Sequence, residues 1–157
     1  MNTLFIFGAK YFVILSVVIA GIVLYLLPRP SQKKMLLLTI VSGVLAYATA
    51  LIAGHFFQNP RPFVVGHFVP LISHAVDNGF PSDHALLTAL LASVVFPFNR
   101  KASAALWLIA IFVSVSRVAV GVHHPIDVIG SFVIAIVMTV CGNWIVNRML
   151  AKKSQAT

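Results

Sequence analysis

The stretch that decides the fold is residues 104–127, which read AALWLIAIFVSVSRVAVGVHHPID. Its first part is apolar and long enough to form a membrane helix. Its last part places Ser116, Arg117, His123 and Asp127 at or just beyond the end of that apolar run. The stretch therefore indicates a membrane helix that carries polar chemistry at one end.

The composition of the whole chain is that of a membrane protein. Of its 157 residues, 60% are hydrophobic and 9% are charged, and the mean hydropathy is +1.00. Charged residues make up about a quarter of an ordinary soluble domain. The length has room for one domain, so we interpret residues 1–157 as a single, all-α, membrane-embedded domain.

Five apolar runs predict about five transmembrane helices in a single bundle. They occupy residues 11–27, 35–57, 85–98, 104–122 and 126–146. The third run is too short to cross about 30 Å of hydrocarbon at about 1.5 Å per residue, so it spans only if its helix starts near Ser82. Residues 1–10 either lie along the membrane surface or extend the first helix.

The cations predict the orientation of the helices. Apart from Lys10 and the two arginines of the motifs below, they form three clusters: Arg29, Lys33 and Lys34; Arg100 and Lys101; Arg148, Lys152 and Lys153. An odd number of spans puts all three clusters on one face, and such clusters accumulate on the cytoplasmic face. The 3 carboxylates and 6 histidines then gather at the other, extracytoplasmic face.

Other classes of protein fit the sequence less well. The net charge of +8 comes from short clusters beside the membrane and not from a basic stripe, so we expect no nucleic-acid partner. The one cysteine, Cys141, lies within the last apolar run and excludes a disulfide or a cysteine metal site. A small transporter is the alternative from another class, but transporters usually place ionisable residues in mid-span, where this chain has none.

A second polar segment, GFPSDH at residues 79–84, precedes the third apolar run. One interpretation is an ordinary helix start, in which Ser82 caps a free N–H group. The other is an anion site, because the first turn of a helix presents free N–H groups and a partial positive charge. In that case Ser82, the backbone around Asp83 and the side chain of His84 face the bound anion.

The remaining polar residues also allow two interpretations each. Arg117 is either an interfacial anchor or a planar fork for phosphate oxygens. His123 is either a solvated residue near a helix end or the partner of Asp127, which would hold one of its ring nitrogens protonated. In the segment NPRP at residues 59–62, Arg61 is either an exposed residue of a rigid turn or a second fork for the same anion.

These three segments, in this order, resemble the type 2 phosphatidic acid phosphatase superfamily of membrane lipid phosphatases. The pattern of that family is K-x6-R-P, P-S-G-H and S-R-x5-H-x3-D. The third motif is complete here, and the resemblance covers residues 54 to 127 and the flanking helices. Two positions depart from the pattern: Gly54 replaces the lysine, and Asp83 replaces the glycine. The P-S-D-H variant is similar to the undecaprenyl pyrophosphate phosphatases associated with bacitracin resistance.

The resemblance implies a mechanism and a substrate class. The catalytic residues are His123 as nucleophile, Asp127 as its partner and His84 as general acid and base. The phosphate-binding residues are Arg61, Ser82, Asp83 through its backbone, and Arg117. No metal and no cofactor is implied.

The implied substrate is a polyprenyl or glycerolipid phosphate in a bacterial plasma membrane, most directly undecaprenyl pyrophosphate. The alternatives are a phosphatidate or phosphatidylglycerophosphate phosphatase, and a lipid phosphotransferase that uses the same site. The oligomeric state stays open. The segment 63–76 is interpreted either as a cover that lies on the membrane surface over the site or as an ordinary ordered loop.

Overall fold

The computed structural model describes residues 2–155 and is built from helices. They are α1 (Asn2–Leu26), α2 (Arg29–Phe56), the short α3 (Pro62–Val65), α4 (Asp83–Val95), α5 (Arg100–Ala119) and α6 (Pro125–Gln155). The five predicted helices are therefore confirmed as α1, α2, α4, α5 and α6. Because α1 begins at Asn2, the residues before the first apolar run extend the first helix and do not lie along the surface.

Four of these helices, α1, α2, α5 and α6, are long and apolar enough to cross a membrane. The third predicted span, α4, has 13 residues and is about 20 Å long, short of about 30 Å of hydrocarbon. It begins at Asp83, next to Ser82 as the prediction required, but ends at Val95. Pro97 follows two residues later and has no backbone N–H with which to continue the helix.

The short helix α4 lies at the centre of the bundle. It packs against α1, α2, α5 and α6, and it buries 8 of its residues. Small side chains make this packing close: Ala85, Ala89 and Ala92 have no exposed surface. Small residues let membrane helices approach each other closely and gain dispersion contacts. These contacts matter because hydrophobic burial contributes little to helix association within lipid. The centre of the bundle is thereby filled by backbone and methyl groups.

The outer surface of the bundle is apolar. Large side chains on the outward faces of the long helices are half exposed or more, for example Ile14 at 57% and Val140 at 65%. The three cation clusters lie together at one end of the helices, at the α1–α2 and α4–α5 turns and the end of α6. A multi-pass membrane protein explains both features, because lipid tails cover the apolar faces.

The opposite end of the bundle carries the polar segments. The 66–82 segment between α3 and α4 is an ordered loop that is fastened to the α5–α6 connection. The N–H group of Leu71 donates to the carbonyl of Val120 at 3.0 Å, and Ile72 is buried against Ala9, Val120 and Val122. The segment thus lies over the point where α5 ends and α6 begins.

Candidate active site

Arg61 lies inside the polar end of the bundle and is not an exposed turn residue. Only 5% of its surface is exposed. Its Nε donates to Oδ1 of Asp77 at 2.6 Å, and its Nη1 donates to the carbonyl of Val122 at 2.9 Å. The same Nη1 lies 3.2 Å from Nε2 of His123. The prolines on both sides of Arg61 fix the turn that aims this guanidinium inward.

Arg117 faces the same histidine from α5. It is 3% exposed, so it is not an interfacial anchor, and its Nη2 lies 3.5 Å from Nε2 of His123. Its Nε is buried and has no hydrogen-bond partner among the described residues. A buried guanidinium N–H without a partner is costly unless a bound group satisfies it, which fits an anion-binding fork.

The surroundings of His123 fix its tautomer. Nδ1 lies 3.3 Å from Oδ2 of Asp127, while Nε2 faces the two guanidinium groups. A guanidinium only donates, so Nε2 must accept, and the ring proton resides on Nδ1 beside the carboxylate. The lone pair of Nε2 therefore points toward the place where Arg61 and Arg117 would hold an anion.

Asp127 is fully buried and is held from three directions. Besides His123, its carboxylate accepts from Nδ2 of Asn59 at 2.6 Å and from the backbone N–H of His124 at 2.8 Å. Gly79 packs directly against it, because a Cβ at this position would lie 3.0 Å from Oδ2 of Asp127. These contacts leave the carboxylate one orientation, and that orientation sets the angle of the His123 ring.

The start of α4 presents a helix N-terminus to this group. The Ser82 backbone is tied to α6, since its N–H donates to the carbonyl of Asp127 at 3.3 Å and its carbonyl accepts from Ser131 at 2.9 Å. Ser82 occupies the N-cap position but makes no capping hydrogen bond, so the structure does not support the first of the two interpretations, in which its hydroxyl caps the helix. Its hydroxyl is buried without a partner among the described residues, and the first-turn N–H groups of α4 stay available.

His84 and Asp83 differ in their surroundings. The side chain of His84 is half-buried in the first turn of α4, within electrostatic reach of Arg117 and His123. The side chain of Asp83 is exposed. The structure thus brings six of the predicted site residues into one cluster, and the backbone of Asp83 forms the first turn of α4 beside them.

Several residues of this cluster were not predicted from the sequence. Asp77 holds Arg61, Asn59 holds Asp127, and Ser131 ties α4 to α6. Asn78 joins the turns, because its Nδ2 contacts the carbonyls of Gly54, Phe57 and Phe80 at 2.8, 3.1 and 3.0 Å. Asp77 carried a usable signal, since it is one of only 3 carboxylates in the chain.

Gly54, at the position of the missing lysine, has no room for a side chain. A Cβ there would lie 2.9 Å from the carbonyl oxygen of Phe80 and 3.6 Å from Nδ2 of Asn78. Neither the backbone of Phe80 nor the hydrogen-bonded amide of Asn78 can move away easily. The close packing of α2 against the 66–82 segment therefore requires glycine at position 54, where the family pattern has lysine.

We expect Gly54→Lys to harm the protein and not to restore a cation. The added Cβ should lower the free energy of unfolding by about 1–3 kcal/mol, the usual cost of overpacking, and should lower kcat/KM as the Asn78 turn shifts. Thermal unfolding in detergent and steady-state kinetics measure both effects.

The matched pair for this test is Gly54→Ala and Gly21→Ala. Gly54→Ala should lower the free energy of unfolding, as Gly54→Lys does. Gly21→Ala should be tolerated, because a Cβ at Gly21 meets nothing within 4 Å. A fall in KM for Gly54→Lys with unchanged stability would show that the site accommodates the lysine after all.

An apolar groove leads away from His123 along the outside of the bundle. A cleft of about 480 Å³ lies beside His123 and His124, under Phe68 and Leu71. A second groove of about 430 Å³ lies between α5 and α6 and is lined by residues such as Ile111, Val115, Ile129 and Phe132. The two share Val118, Ala119 and Pro125 in their linings, so the cleft beside His123 adjoins the groove on the membrane-facing surface.

Residues that bind metals do not converge in the described part of the chain. Within residues 2–155, no group of three or more His, Cys, Asp or Glu side chains is arranged to hold a metal ion. Metal-independent catalysis remains a prediction.

Comparisons with known proteins agree with this geometry. Residues 34–150 match the model of the PAP2 superfamily. The chain is 31% identical over 139 residues to undecaprenyl-diphosphatase BcrC of Bacillus subtilis (strain 168), covering 88% of this chain and 71% of that protein. It is 30% identical over 147 residues to the bacitracin transport permease protein BcrC of Bacillus licheniformis, covering 92% and 71%.

A solved structure supports the fold independently. The crystal structure of LpxE from Aquifex aeolicus superposes with a TM-score of 0.67 at 23% identity, covering 90% of this chain and 86% of that one.

The family match and the four apolar helices long enough to cross a membrane define a membrane phosphatase. The chain belongs to the PAP2 superfamily, and the predicted resemblance is confirmed. It is a hydrolase of phosphate esters or diphosphates, as the members of that family are.

Proposed function

We propose that this chain removes the terminal phosphate of undecaprenyl pyrophosphate through a phosphohistidine at His123, releasing undecaprenyl phosphate and orthophosphate. The observation that carries the proposal is the two-sided setting of His123. Its Nδ1 faces the carboxylate of Asp127, and its Nε2 faces the guanidinium groups of Arg61 and Arg117.

The first step forms the phosphoenzyme. A terminal phosphate that enters between Arg61 and Arg117 takes over their N–H groups and frees the lone pair of Nε2 on His123. Nε2 attacks phosphorus, and the bond from phosphorus to the bridging oxygen breaks. Charge on the equatorial oxygens is stabilised by both forks and by the N–H groups at the start of α4. Asp127 stabilises the ring as it becomes positive.

The second step releases phosphate. In the first step His84, which enters the cycle protonated, gives its proton to the departing oxygen of the lipid phosphate as the phosphorus–oxygen bond breaks. The neutral His84 then takes a proton from the water that attacks the phosphohistidine. The N–P bond breaks, orthophosphate leaves, and His123 returns to its Nδ1–H tautomer. Each proton that His84 donates in the first step is recovered in the second, so the cycle is balanced.

The relatives and the groove favour a polyprenyl pyrophosphate as substrate. One relative is named an undecaprenyl-diphosphatase and covers most of this chain. The groove between α5 and α6 is lined mostly by apolar side chains and adjoins the cleft beside His123, so a lipid tail can remain among hydrocarbon while its head group lies near His123.

The test is phosphate release by purified enzyme from undecaprenyl pyrophosphate, phosphatidate and phosphatidylglycerophosphate. We expect the highest kcat/KM with the pyrophosphate. Preference for a glycerolipid would assign the alternative substrate. A repeat with an added acceptor lipid separates hydrolysis from phosphate transfer, because transfer would yield a phosphorylated acceptor in place of orthophosphate.

We also propose that the site faces the outside of a bacterial plasma membrane, as the cation clusters at the other end favour. In a Cys141→Ser background, an impermeant thiol reagent applied to intact cells should label Val69→Cys, which is 91% exposed at the site end. It should not label Lys101→Cys at the start of α5. Labelling of Lys101→Cys alone would invert the orientation.

The pH dependence should report the state of His123. Its burial lowers the pKa of its imidazole, and the charges of Arg117 and Arg61 lower it further, against the opposing hydrogen bond to Asp127. Because attack needs the neutral ring, the acidic limb of kcat/KM that reports His123 should lie below pH 6.5, where the pH drops through this lowered pKa.

The acidic limb of the pH profile must be shown to report an ionisation of the enzyme and not of the substrate. Two substrates whose phosphate groups ionise at different pH should share the same acidic limb. A limb centred at or above pH 6.5 with both substrates would contradict a buried neutral nucleophile.

A further inference from the structure

We propose that His74 is a further substrate-binding residue, whose imidazole N–H donates to the phosphate oxygens of a pyrophosphate held between Arg61 and Arg117. The inference rests on the proposed function in using the same anion site, and it adds a residue outside the three sequence motifs.

The geometry places His74 against the nucleophile. Its ring centroid lies 6.1 Å from that of His123, with the ring planes at 78°. Its Nδ1 is buried and has no hydrogen-bond partner among the described residues, and Oδ1 of Asp77 is 4.0 Å away. A buried ring nitrogen without a partner carries an uncompensated desolvation cost, which a bound oxyanion would remove.

His74 is held in place from both sides along the chain. Two residues before it, Ile72 is buried in the small apolar cluster at the end of α1. Three residues after it, Asp77 bonds Nε of Arg61 at 2.6 Å. The imidazole is thereby positioned over the site before any ligand enters, and a fixed donor loses little freedom on binding.

The charges around His74 fit a neutral donor. Its burial lowers the pKa of its imidazole, and the positive charges of Arg61 and Arg117 lower it further. The neutral ring still carries one N–H and does not add to the repulsion between the two guanidinium groups. Asp77 already balances part of the charge of Arg61, and position 54 provides no cation.

A pyrophosphate has more oxygens to satisfy than a monophosphate, so the extra donor should favour the diphosphate. The experiment uses purified full-length protein in detergent and imidodiphosphate, whose P–N–P bridge resists cleavage. We expect His74→Ala to weaken imidodiphosphate binding by about 10-fold in calorimetry, and orthophosphate binding by less, as expected for the loss of a charge-assisted hydrogen bond.

The control variants separate donation from packing. His74→Gln keeps an N–H donor and should bind within about threefold of the wild type, a difference small against a lost bond to an ion. His55→Ala removes an exposed histidine at the same end and should bind as the wild type does. Binding by His74→Ala within twofold of the wild type would overturn the proposal. Equal weakening in His74→Ala and His74→Gln would also overturn it.

A measurement on the wild type covers the case in which the alanine variant does not fold. Saturating imidodiphosphate should slow the modification of His74 by diethyl pyrocarbonate, mapped by mass spectrometry, and leave His55 unaffected. Unchanged modification of His74 would refute the contact. Because the probe has no lipid, a protein that binds it through His74 but does not cleave undecaprenyl pyrophosphate would disprove the proposed substrate alone.

Discussion

His123→Ala should abolish turnover of lipid substrates and of p-nitrophenyl phosphate alike, and it should trap no acid-labile phosphohistidine. The nucleophile is needed whatever the leaving group, because Nε2 is the atom that forms the bond to phosphorus. His84→Ala should be crippled on a lipid monophosphate, whose alkoxide needs a proton to leave. It should still form the phosphoenzyme with p-nitrophenyl phosphate, whose phenolate leaves without one.

The neighbouring histidine provides the control for this experiment. His124→Ala leaves the backbone N–H that bonds Asp127 in place and removes a ring that contacts the carbonyl of Pro60 at 3.1 Å and borders the cleft beside His123. It should retain phosphoenzyme formation with p-nitrophenyl phosphate, which has no lipid tail to place in that cleft. An intermediate that survives in His123→Ala and is absent in His84→Ala would exchange the two roles.

Asp127→Asn should lower kcat/KM by at least about 100-fold while the protein stays folded, as expected when the carboxylate behind a catalytic histidine is lost. An amide can turn an N–H toward Nδ1 of His123, which favours the tautomer with the proton on Nε2 and blocks attack. The amide also has one acceptor oxygen in place of two, whereas the carboxylate accepts hydrogen bonds from both Asn59 and the His124 backbone.

Two measurements identify the cause of that loss. Phosphoenzyme formation with p-nitrophenyl phosphate should slow as strongly as overall turnover, because the defect lies in the attack. Imidodiphosphate should still bind, since Arg61 and Arg117 remain. Wild-type rates of phosphoenzyme formation in Asp127→Asn would show that the carboxylate does not control the histidine.

The sequence predicted the parts of the structure that depend on local pattern. Apolar runs predicted the four long helices and the shorter α4, because a segment surrounded by lipid must satisfy its own backbone. The spacing from Arg117 to His123 and Asp127 predicted their meeting, since an Asp four residues after a His, at the start of a helix, can reach the ring. Arg61 was assigned to the site through the resemblance of Arg61-Pro62 to the first family motif, because the prolines around it also fit an exposed turn.

The parts that were missed depend on contacts between distant residues. Asn59 meets Asp127 across 68 positions of the chain, and Arg61 meets Asp77 across 16. No periodicity or motif links such residues. The capping rule also failed at Ser82, where ties to Asp127 and Ser131 hold the backbone and the hydroxyl does not cap the helix. The end of α4 at Val95 likewise depended on Pro97, inside a run that hydropathy treated as continuous.

The groove that runs from His123 between α5 and α6 has a kinetic consequence if lipid tails occupy it. Substrate would then arrive sideways, by diffusion in the plane of the bilayer, and the concentration that governs the rate would be its mole fraction among the surrounding lipids. Inert lipid or detergent would slow the reaction by surface dilution. The dephosphorylated product keeps the same tail and the same plane, so it would compete for the groove, whereas orthophosphate would leave into water.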